Sequence, residues 1–188
     1  WNTDLNEIQI YYDPGEPGDN EDETEAGWIT PFGGGSGGEL FQFSSFTFKS
    51  LVSRGSRNGP SSGQMTSGYS GEAWNDGTNF VQGGYQGYQL WTVPKDGNYQ
   101  IEAGGAKGGR DLNYGQTNLW GAKISGQFTL TEGTEISMVV GVGGGQYYSP
   151  HGNEAGGGGG SFVINKTAGS PLLIAGGGGG GASNTHGW

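Results

Sequence analysis

The chain of 188 residues has the length of one ordinary domain, and its 6 Trp, 9 Tyr and 8 Phe exclude a disordered chain in spite of its 44 glycines. A formal net charge of −10 excludes a nucleic-acid-binding surface, because such a surface needs clustered Lys and Arg. The absence of cysteine excludes disulfides and thiolate metal sites, and no apolar run is long enough to span a bilayer.

Residues 1–38 are the first predicted region, an N-terminal arm with one strand in "LNEIQIYY" and a later glycine-rich stretch. The acidic run at 13–25 contains prolines, which exclude a helix, so we expect a solvated loop there. The alternative is a calcium site that uses Asp19, Asn20 and Asp22, since oxygen ligands crowd in this run. The run lacks the ligand spacing of an EF-hand.

Residues 39–188 are predicted to be one glycine-rich domain, and its first part has the pattern of a β-sandwich. The alternation in "LFQFSSFTFKSL" changes phase at Ser44 and Ser45, which predicts a bulge or bend. The stretch "GYQLWTVPKDGNYQIEA" predicts two strands joined by a turn that contains Pro94 and Gly97. No segment has a helical period, so the predicted class is all-β, an antiparallel β-sandwich.

The last part of the domain alternates strand-like segments with glycine runs. If antiparallel strands succeed one another, every glycine run lies at the same end of the sandwich, in excursions at about 104–122, 141–160 and 176–188. Glycine can form an extended helix with three residues per turn, and the missing Cβ lets such helices lie side by side. We therefore predict a bundle of polyglycine II helices that satisfy one another's amides, the alternative being flexible linkers. The glycines of the two longest runs, which we assign to this bundle, are Gly156, Gly157, Gly158, Gly159, Gly160, Gly176, Gly177, Gly178, Gly179, Gly180 and Gly181.

The far ends of these excursions carry side chains that suit recognition, because aromatic residues on rigidly held loops offer a large contact area with few rotatable bonds. The candidate binding residues are Tyr114, Trp120, Tyr147, Tyr148, His151, His186 and Trp188. For Tyr114 and Trp120 the alternative is that they fold back and seal the glycine bundle. A metal shared by the two histidines and Glu154 is a further alternative to two solvent-facing imidazoles.

Catalytic signals are poor. The run "GGSGG" at 34–38 matches the G-x-S-x-G nucleophile elbow, but a glycine-rich chain matches it by chance, and neither a strand-turn-helix context nor a triad accompanies it. We predict that the protein is not an enzyme and uses no cofactor.

Several of these stretches together resemble a known family. The run from Gln89 to Gly109, with "FTFKS", "GQFTLTEGTEISMVVGVGGG" and "AGGGGGSFVI", is similar to the glycine-rich domain of the anaplastic lymphoma kinase and leukocyte tyrosine kinase receptors. Related modules occur in microbial and viral surface proteins. The resemblance covers about residues 46–182, and it implies a TNF-like, jelly-roll-like β-sandwich that carries polyglycine helices.

The cysteines of those receptors are absent here, and their ligand-contacting loops do not match, so cytokine binding is not implied. The predicted architecture is also similar to that of the glycine-rich adhesins on T-even phage tail fibres. We expect a non-enzymatic attachment module of a virion or microbial surface, which binds a cell-surface protein or glycan and assembles into a larger surface structure. The alternatives are a structural building block of an extracellular fibre or coat and a ligand-binding fragment of a receptor ectodomain.

Overall fold

A computed structural model describes four stretches of the chain, at residues 7–13, 39–109, 119–145 and 155–181. Within them, in chain order, lie β1 (Glu7–Asp13), β2 (Ser45–Lys49), α1 (Ser62–Gly68), β3 (Phe80–Gln82), β4 (Gln89–Thr92), β5 (Gly97–Gly104), β6 (Lys123–Leu130), β7 (Glu135–Val139), β8 (Ser161–Asn165) and β9 (Ser170–Ala175). The strands form two antiparallel sheets, in the orders β2-β1-β5-β6 and β3-β4-β7-β8-β9. The predicted all-β class is confirmed, and a TNF-like relationship stays a prediction.

Strand β1 comes from the N-terminal arm of the sequence but lies inside the first sheet. It pairs with β2 on one side and β5 on the other, so that Ile10 stands opposite both Phe46 and Ile101. Ile8 and Ile10 are fully buried while their neighbours in the strand are not, as expected for a strand with one face toward the core. The predicted division at residue 38 stays a prediction, and the strand before it folds with strands from beyond it.

Two turns, one of them the predicted turn with Pro94 and Gly97, connect the two sheets instead of neighbouring strands of one sheet. The turn with Pro94 and Gly97 leads from β4 to β5, and the turn before Glu135 leads from β6 to β7. The two connections are joined where the Val93 N–H donates to the Thr134 carbonyl at 2.9 Å. By contrast, β8 and β9 form a hairpin within one sheet, as expected. Because the chain crosses between sheets at these turns, the two sheets enclose a common core.

An aromatic cluster fills the space between the sheets. Phe48 of β2 and Trp91 of β4 belong to different sheets, and their ring centroids are 6.2 Å apart. Trp74, from the segment between α1 and β3, lies 5.4 Å from Phe48 and 5.0 Å from Phe80. All four side chains are buried. Aromatic pairs of this kind each contribute about 0.5–1.5 kcal/mol beyond the area they bury, so the cluster holds the two sheets together.

The change of phase at Ser44 and Ser45 coincides with the beginning of β2. Phe41 and Phe43 precede the strand in irregular backbone, yet both are buried, and the ring of Phe43 lies 4.9 Å from that of Trp91. The expected bend is present, and the residues before it are not a strand.

Helix α1 is a correction to the prediction that no segment is helical. Ser61 caps its first turn: the Ser61 N–H donates to Gln64 Oε1 at 2.9 Å, and the Ser61 hydroxyl accepts from the Gln64 N–H at 3.4 Å. This capping box and the burial of Met65 against the core stabilise a helix too short to have a visible period. Among the described residues, no helix is long and apolar enough to cross a membrane.

Tyr69, directly after α1, is the centre of a buried polar network that joins the two sheets. Its hydroxyl donates to Gln89 Oε1 of β4 at 2.7 Å and accepts from the Lys49 N–H of β2 at 2.8 Å. Gln89 Nε2 donates to the Lys49 carbonyl at 2.8 Å. Gln89 is fully buried, so each of these groups depends on the others for a partner.

Removal of the Tyr69 hydroxyl is therefore expected to destabilise the fold. In Tyr69→Phe, the Lys49 N–H and Gln89 Oε1 lose the hydroxyl as their partner, which we expect to lower the free energy of unfolding by about 1–3 kcal/mol. Equilibrium unfolding in denaturant measures this change. Tyr85→Phe is the matched control, because Tyr85 is 76% exposed. Equal stability of the two variants would contradict the role of the network.

The burial of Tyr69 also predicts that the protein loses stability at alkaline pH. Burial raises the pKa of Tyr69 to about 12, against the lowering effect of its hydrogen bonds with Lys49 and Gln89. Burial also raises the pKa of Tyr99 well above its usual value. A tyrosine in the unfolded chain ionises near pH 10, so the contribution of Tyr69 is fully present below pH 10 and is lost as the pH rises through about 12. Unfolding curves at several pH values measure how steeply the free energy of unfolding falls as the pH rises. This slope should be smaller in Tyr69→Phe; an unchanged slope would exclude Tyr69 as the source of the pH dependence.

Candidate functional site

Five segments without strand structure leave or enter the sheets at one end of the sandwich. The registers bring the ends of β5, β7 and β9 to this end together with the beginnings of β6 and β8. We call the segments that continue from them the glycine lattice, which consists of residues 105–109, 119–122, 141–145, 155–160 and 176–181. The backbone hydrogen bonds between these segments confirm the prediction that the glycine runs lie together.

The hydrogen bonds of the lattice repeat every three residues. Gly105 and Gly108 donate to Ala122 and Leu119, whereas Ala106 and Gly109 donate to Gly159 and Gly156, all at 2.8–2.9 Å. Successive residues of segment 105–109 thus bond to different neighbouring segments. In a β-ladder the side chains and bonds alternate with a period of two, so this arrangement is not a continuation of the sheets.

The returning segment 155–160, which accepts bonds from segment 105–109, donates bonds to two further neighbours in the same way. Ala155 and Gly158 donate to segment 176–181, at 2.9 and 2.8 Å, and Gly156 and Gly159 donate to segment 141–145, at 3.0 and 2.9 Å. The outward segments 105–109 and 176–181 are in turn joined by bonds from residues 178 and 181. The lattice therefore consists of backbone segments that are joined to one another by hydrogen bonds.

Close approach of the segments depends on glycine at particular positions. A Cβ on Gly158 would overlap the carbonyl of Ala106, and a Cβ on Gly178 would overlap the carbonyl of Leu119. A Cβ on Gly176 or Gly179, by contrast, would meet nothing within 4 Å. At only some of the positions assigned to the bundle, therefore, do the surrounding contacts require glycine.

Side chains anchor the lattice at two places. At its base, the hydroxyl of buried Ser161 donates to the Gly104 carbonyl at 2.7 Å and accepts from the Gly141 N–H at 2.9 Å, which joins both sheets to the lattice. On its flank, Arg54 Nη2 donates to the Gly108 carbonyl at 2.8 Å. A guanidinium has donors but no acceptor, so it suits carbonyls that the lattice itself leaves unpaired.

Trp120 is the candidate binding residue that lies in the described part of the chain. It belongs to segment 119–122, and its ring is 40% exposed. Lys107 Nζ lies 3.9 Å from the centroid of the ring, a cation–π contact. Lys107 thus covers part of the indole, and the rest remains available at the surface of the lattice.

The other candidate residues lie outside the described residues, so their predicted roles stay predictions. They are Tyr114, Tyr147, Tyr148, His151, His186 and Trp188, together with the calcium candidates Asp19 and Asp22. Within the described stretches, no group of three His, Cys, Asp or Glu is placed to hold a metal ion.

Two exposed aromatic residues at the same end of the sandwich were not among the predicted binding residues. Tyr85 and Tyr88 lie in the loop between β3 and β4 and are 76% and 40% exposed. The beginning of β4 pairs with the end of β7, so this loop stands beside the glycine lattice. The signal for them was the stretch "GGYQGYQ", where glycines and two tyrosines interrupt a hairpin.

A groove of about 390 Å³ lies between α1 and β3 and is lined in part by Met65, Asn75 and Asp76. Partial burial acts to raise the pKa of Asp76, but hydrogen bonds from Asn79 and Thr78 hold it below its usual value. Asp76 is therefore an ionised carboxylate that closes a turn. A carboxylate of this kind is a poor proton acceptor near neutral pH.

Comparison of the chain with protein-family models and with curated protein sequences found no match.

The packing of the lattice predicts opposite effects for two alanine substitutions in neighbouring glycine runs. Gly158→Ala should lower the free energy of unfolding by about 1–3 kcal/mol, because its Cβ overlaps a backbone carbonyl that cannot move without breaking other lattice bonds. Gly179→Ala, the matched control, should raise it by about 0.4–1 kcal/mol, because the site has room and alanine restricts the unfolded chain.

Denaturant unfolding of the two variants beside the wild type measures both changes. The lattice packing would be disproved if Gly158→Ala were as stable as Gly179→Ala.

Proposed function

We propose that this protein is a non-enzymatic attachment module of a virion or microbial surface, in which the glycine lattice is a bundle of polyglycine II helices. The bundle presents aromatic loops to a cell-surface protein or glycan outside the cell. The three-residue repeat of the lattice bonds supports this interpretation, since polyproline II and polyglycine II helices have three residues per turn.

The observation that carries the proposal is a scaffold joined by backbone hydrogen bonds that has an exposed aromatic side chain, Trp120, on its surface. The lattice is bonded through its backbone, and Trp120 on its surface keeps 40% of its area exposed. From residues 109, 145 and 181 the chain continues into sequences rich in Tyr, Trp and His. Recognition surfaces are commonly built from such residues on loops that a rigid framework holds.

Charge narrows the class of partner. The net charge of −10 works against binding to nucleic acid and to strongly anionic surfaces. It is compatible with a protein that has a basic surface or with a neutral glycan. The resemblance to glycine-rich modules of receptors and of viral and microbial surface proteins supports a recognition role.

The proposal predicts that loss of the aromatic side chains abolishes attachment without unfolding the protein. A variant with Trp120→Ser, Tyr147→Ser, Tyr148→Ser and Trp188→Ser should bind whole cells and a glycan array about tenfold more weakly or worse, as expected when aromatic anchors are removed. Its circular dichroism spectrum and thermal unfolding should match those of the wild type.

The matched control removes exposed apolar side chains from another surface, through Phe162→Ser and Ile174→Ser. Binding by this control should equal that of the wild type. If both variants bind as the wild type does, the aromatic residues of the lattice end are not the attachment site. If the wild type binds no cell and no glycan, the module is not an adhesin.

A structural role in a fibre or coat is the second candidate, and one observation favours it. Phe162 and Ile174 are directly opposed in the β8–β9 hairpin, and both side chains are exposed, Ile174 by 52%. Such a pair suits contact with another subunit. Sedimentation velocity over a range of concentrations tests this role, since Ile174→Lys should prevent assembly if the hairpin face is the contact.

A further inference from the structure

We propose that Tyr85 and Tyr88 form a second binding site, a stacking platform for one or two rings of a neutral glycan, beside the glycine lattice. This inference rests on the proposed recognition function and names the class of ligand for this surface. The site lies on the β3–β4 loop and shares no residue with the candidate site at the lattice end.

The local backbone brings the two tyrosines together. The Tyr88 N–H donates to the Tyr85 carbonyl at 3.2 Å, so the two residues are the first and last of a β-turn. Gly87, at the third position, has φ +93, a conformation that glycine adopts without strain. The first and last Cα atoms of a β-turn lie within about 7 Å of each other, so the two side chains begin close together. Their centroids are 5.9 Å apart and their planes are inclined by 53°.

The turn is held in place by a neighbouring segment of the same chain, at residues 59 and 60. The Gly87 N–H donates to the Pro60 carbonyl at 3.1 Å, and Gln86 Nε2 donates to the Gly59 carbonyl at 2.8 Å. Gly59 and Gly87 are in backbone contact, so a Cβ on Gly87 would lie 2.9 Å from the Gly59 Cα. At the base of the loop, the Gly83 N–H donates to the Tyr88 carbonyl at 2.8 Å, which closes the loop. Because the loop is already ordered, a ligand would not have to order it.

The exposed groups of the platform match a sugar. Each ring has an apolar face for the C–H groups of a pyranose, and each hydroxyl can donate or accept a hydrogen bond to a sugar hydroxyl. Tyr85 is 76% exposed, so its ring is accessible to a ligand.

The surroundings favour a small neutral ligand over a protein. The residues that hold the turn are Gly59, Pro60, Gln86 and Gly87, which supply little apolar side-chain area. A stable protein interface needs roughly 800 Å² per partner around an apolar centre. The net charge of −10 also disfavours sulfated or sialylated glycans.

The test uses saturation-transfer NMR with the full chain and a panel of neutral oligosaccharides that end in glucose, galactose or mannose. At least one of them should bind with transfer to its ring C–H protons. In Tyr85→Ala with Tyr88→Ala, its affinity should fall about tenfold or more, because both stacking surfaces are removed. In Tyr85→Phe with Tyr88→Phe, the rings remain, and the loss should be only a few-fold.

Three outcomes would overturn the inference: no neutral oligosaccharide binds, the alanine variant binds as the wild type does, or a sulfated glycan binds through the same tyrosines in preference to all neutral ones. Ile174→Ser, on the β8–β9 hairpin, is the control and should leave this binding unchanged. Whole-cell binding separates the two proposals. If cells still bind the alanine variant but not the variant that lacks the lattice-end aromatics, the platform fails while the attachment function stands.

Discussion

The glycine end of this protein depends on backbone hydrogen bonds between segments that can lie close together because many of their residues lack a Cβ. A Cβ on Gly108 would overlap the Gly179 carbonyl, and one on Gly144 would overlap the Gly156 carbonyl. At such positions the backbone of one segment lies directly against the backbone of its neighbour. Glycine loses more backbone entropy on folding than any other residue, so this arrangement is stable only because the amides are paired and the segments begin from fixed strands.

The sandwich supplies that fixed base. Its core is aromatic and spans both sheets, and the network of Tyr69, Gln89 and Lys49 joins the sheets near the glycine end. Ser161 then connects both sheets to the first residues of the lattice. Side-chain packing therefore orders the strands, and the strands order backbone that has almost no side chains of its own. Loss of order at the base should spread into the lattice, since the lattice has no separate apolar core.

The sequence allowed the fold to be predicted where patterns are local. Strand and turn patterns predicted β1, β4 and β5, and the succession of strands and glycine runs predicted that the runs lie together. Helix α1 was missed because seven residues carry no usable period, although Ser61 and Gln64 form a recognisable capping box. The sequence also did not predict that β4 and β5 belong to different sheets, because a turn sequence does not specify whether the strands on either side of it pair with each other. Tyr85 and Tyr88 were missed because the position of their loop depends on the contact between Gly59 and Gly87, which are distant in sequence.

Rigidity at the glycine end thus comes from backbone contacts, and this determines what its side chains can do. In an ordinary surface loop, aromatic residues often stay ordered by packing on the core, which limits substitution. Here Gly59 against Gly87 and Gly55 against Gly145 provide the contacts that hold loops in place. Tyr85 and Trp120 are consequently placed by the backbone and contribute little to the core. Replacing them should cost little stability, so a scaffold of this kind can change its recognition residues while its fold is preserved.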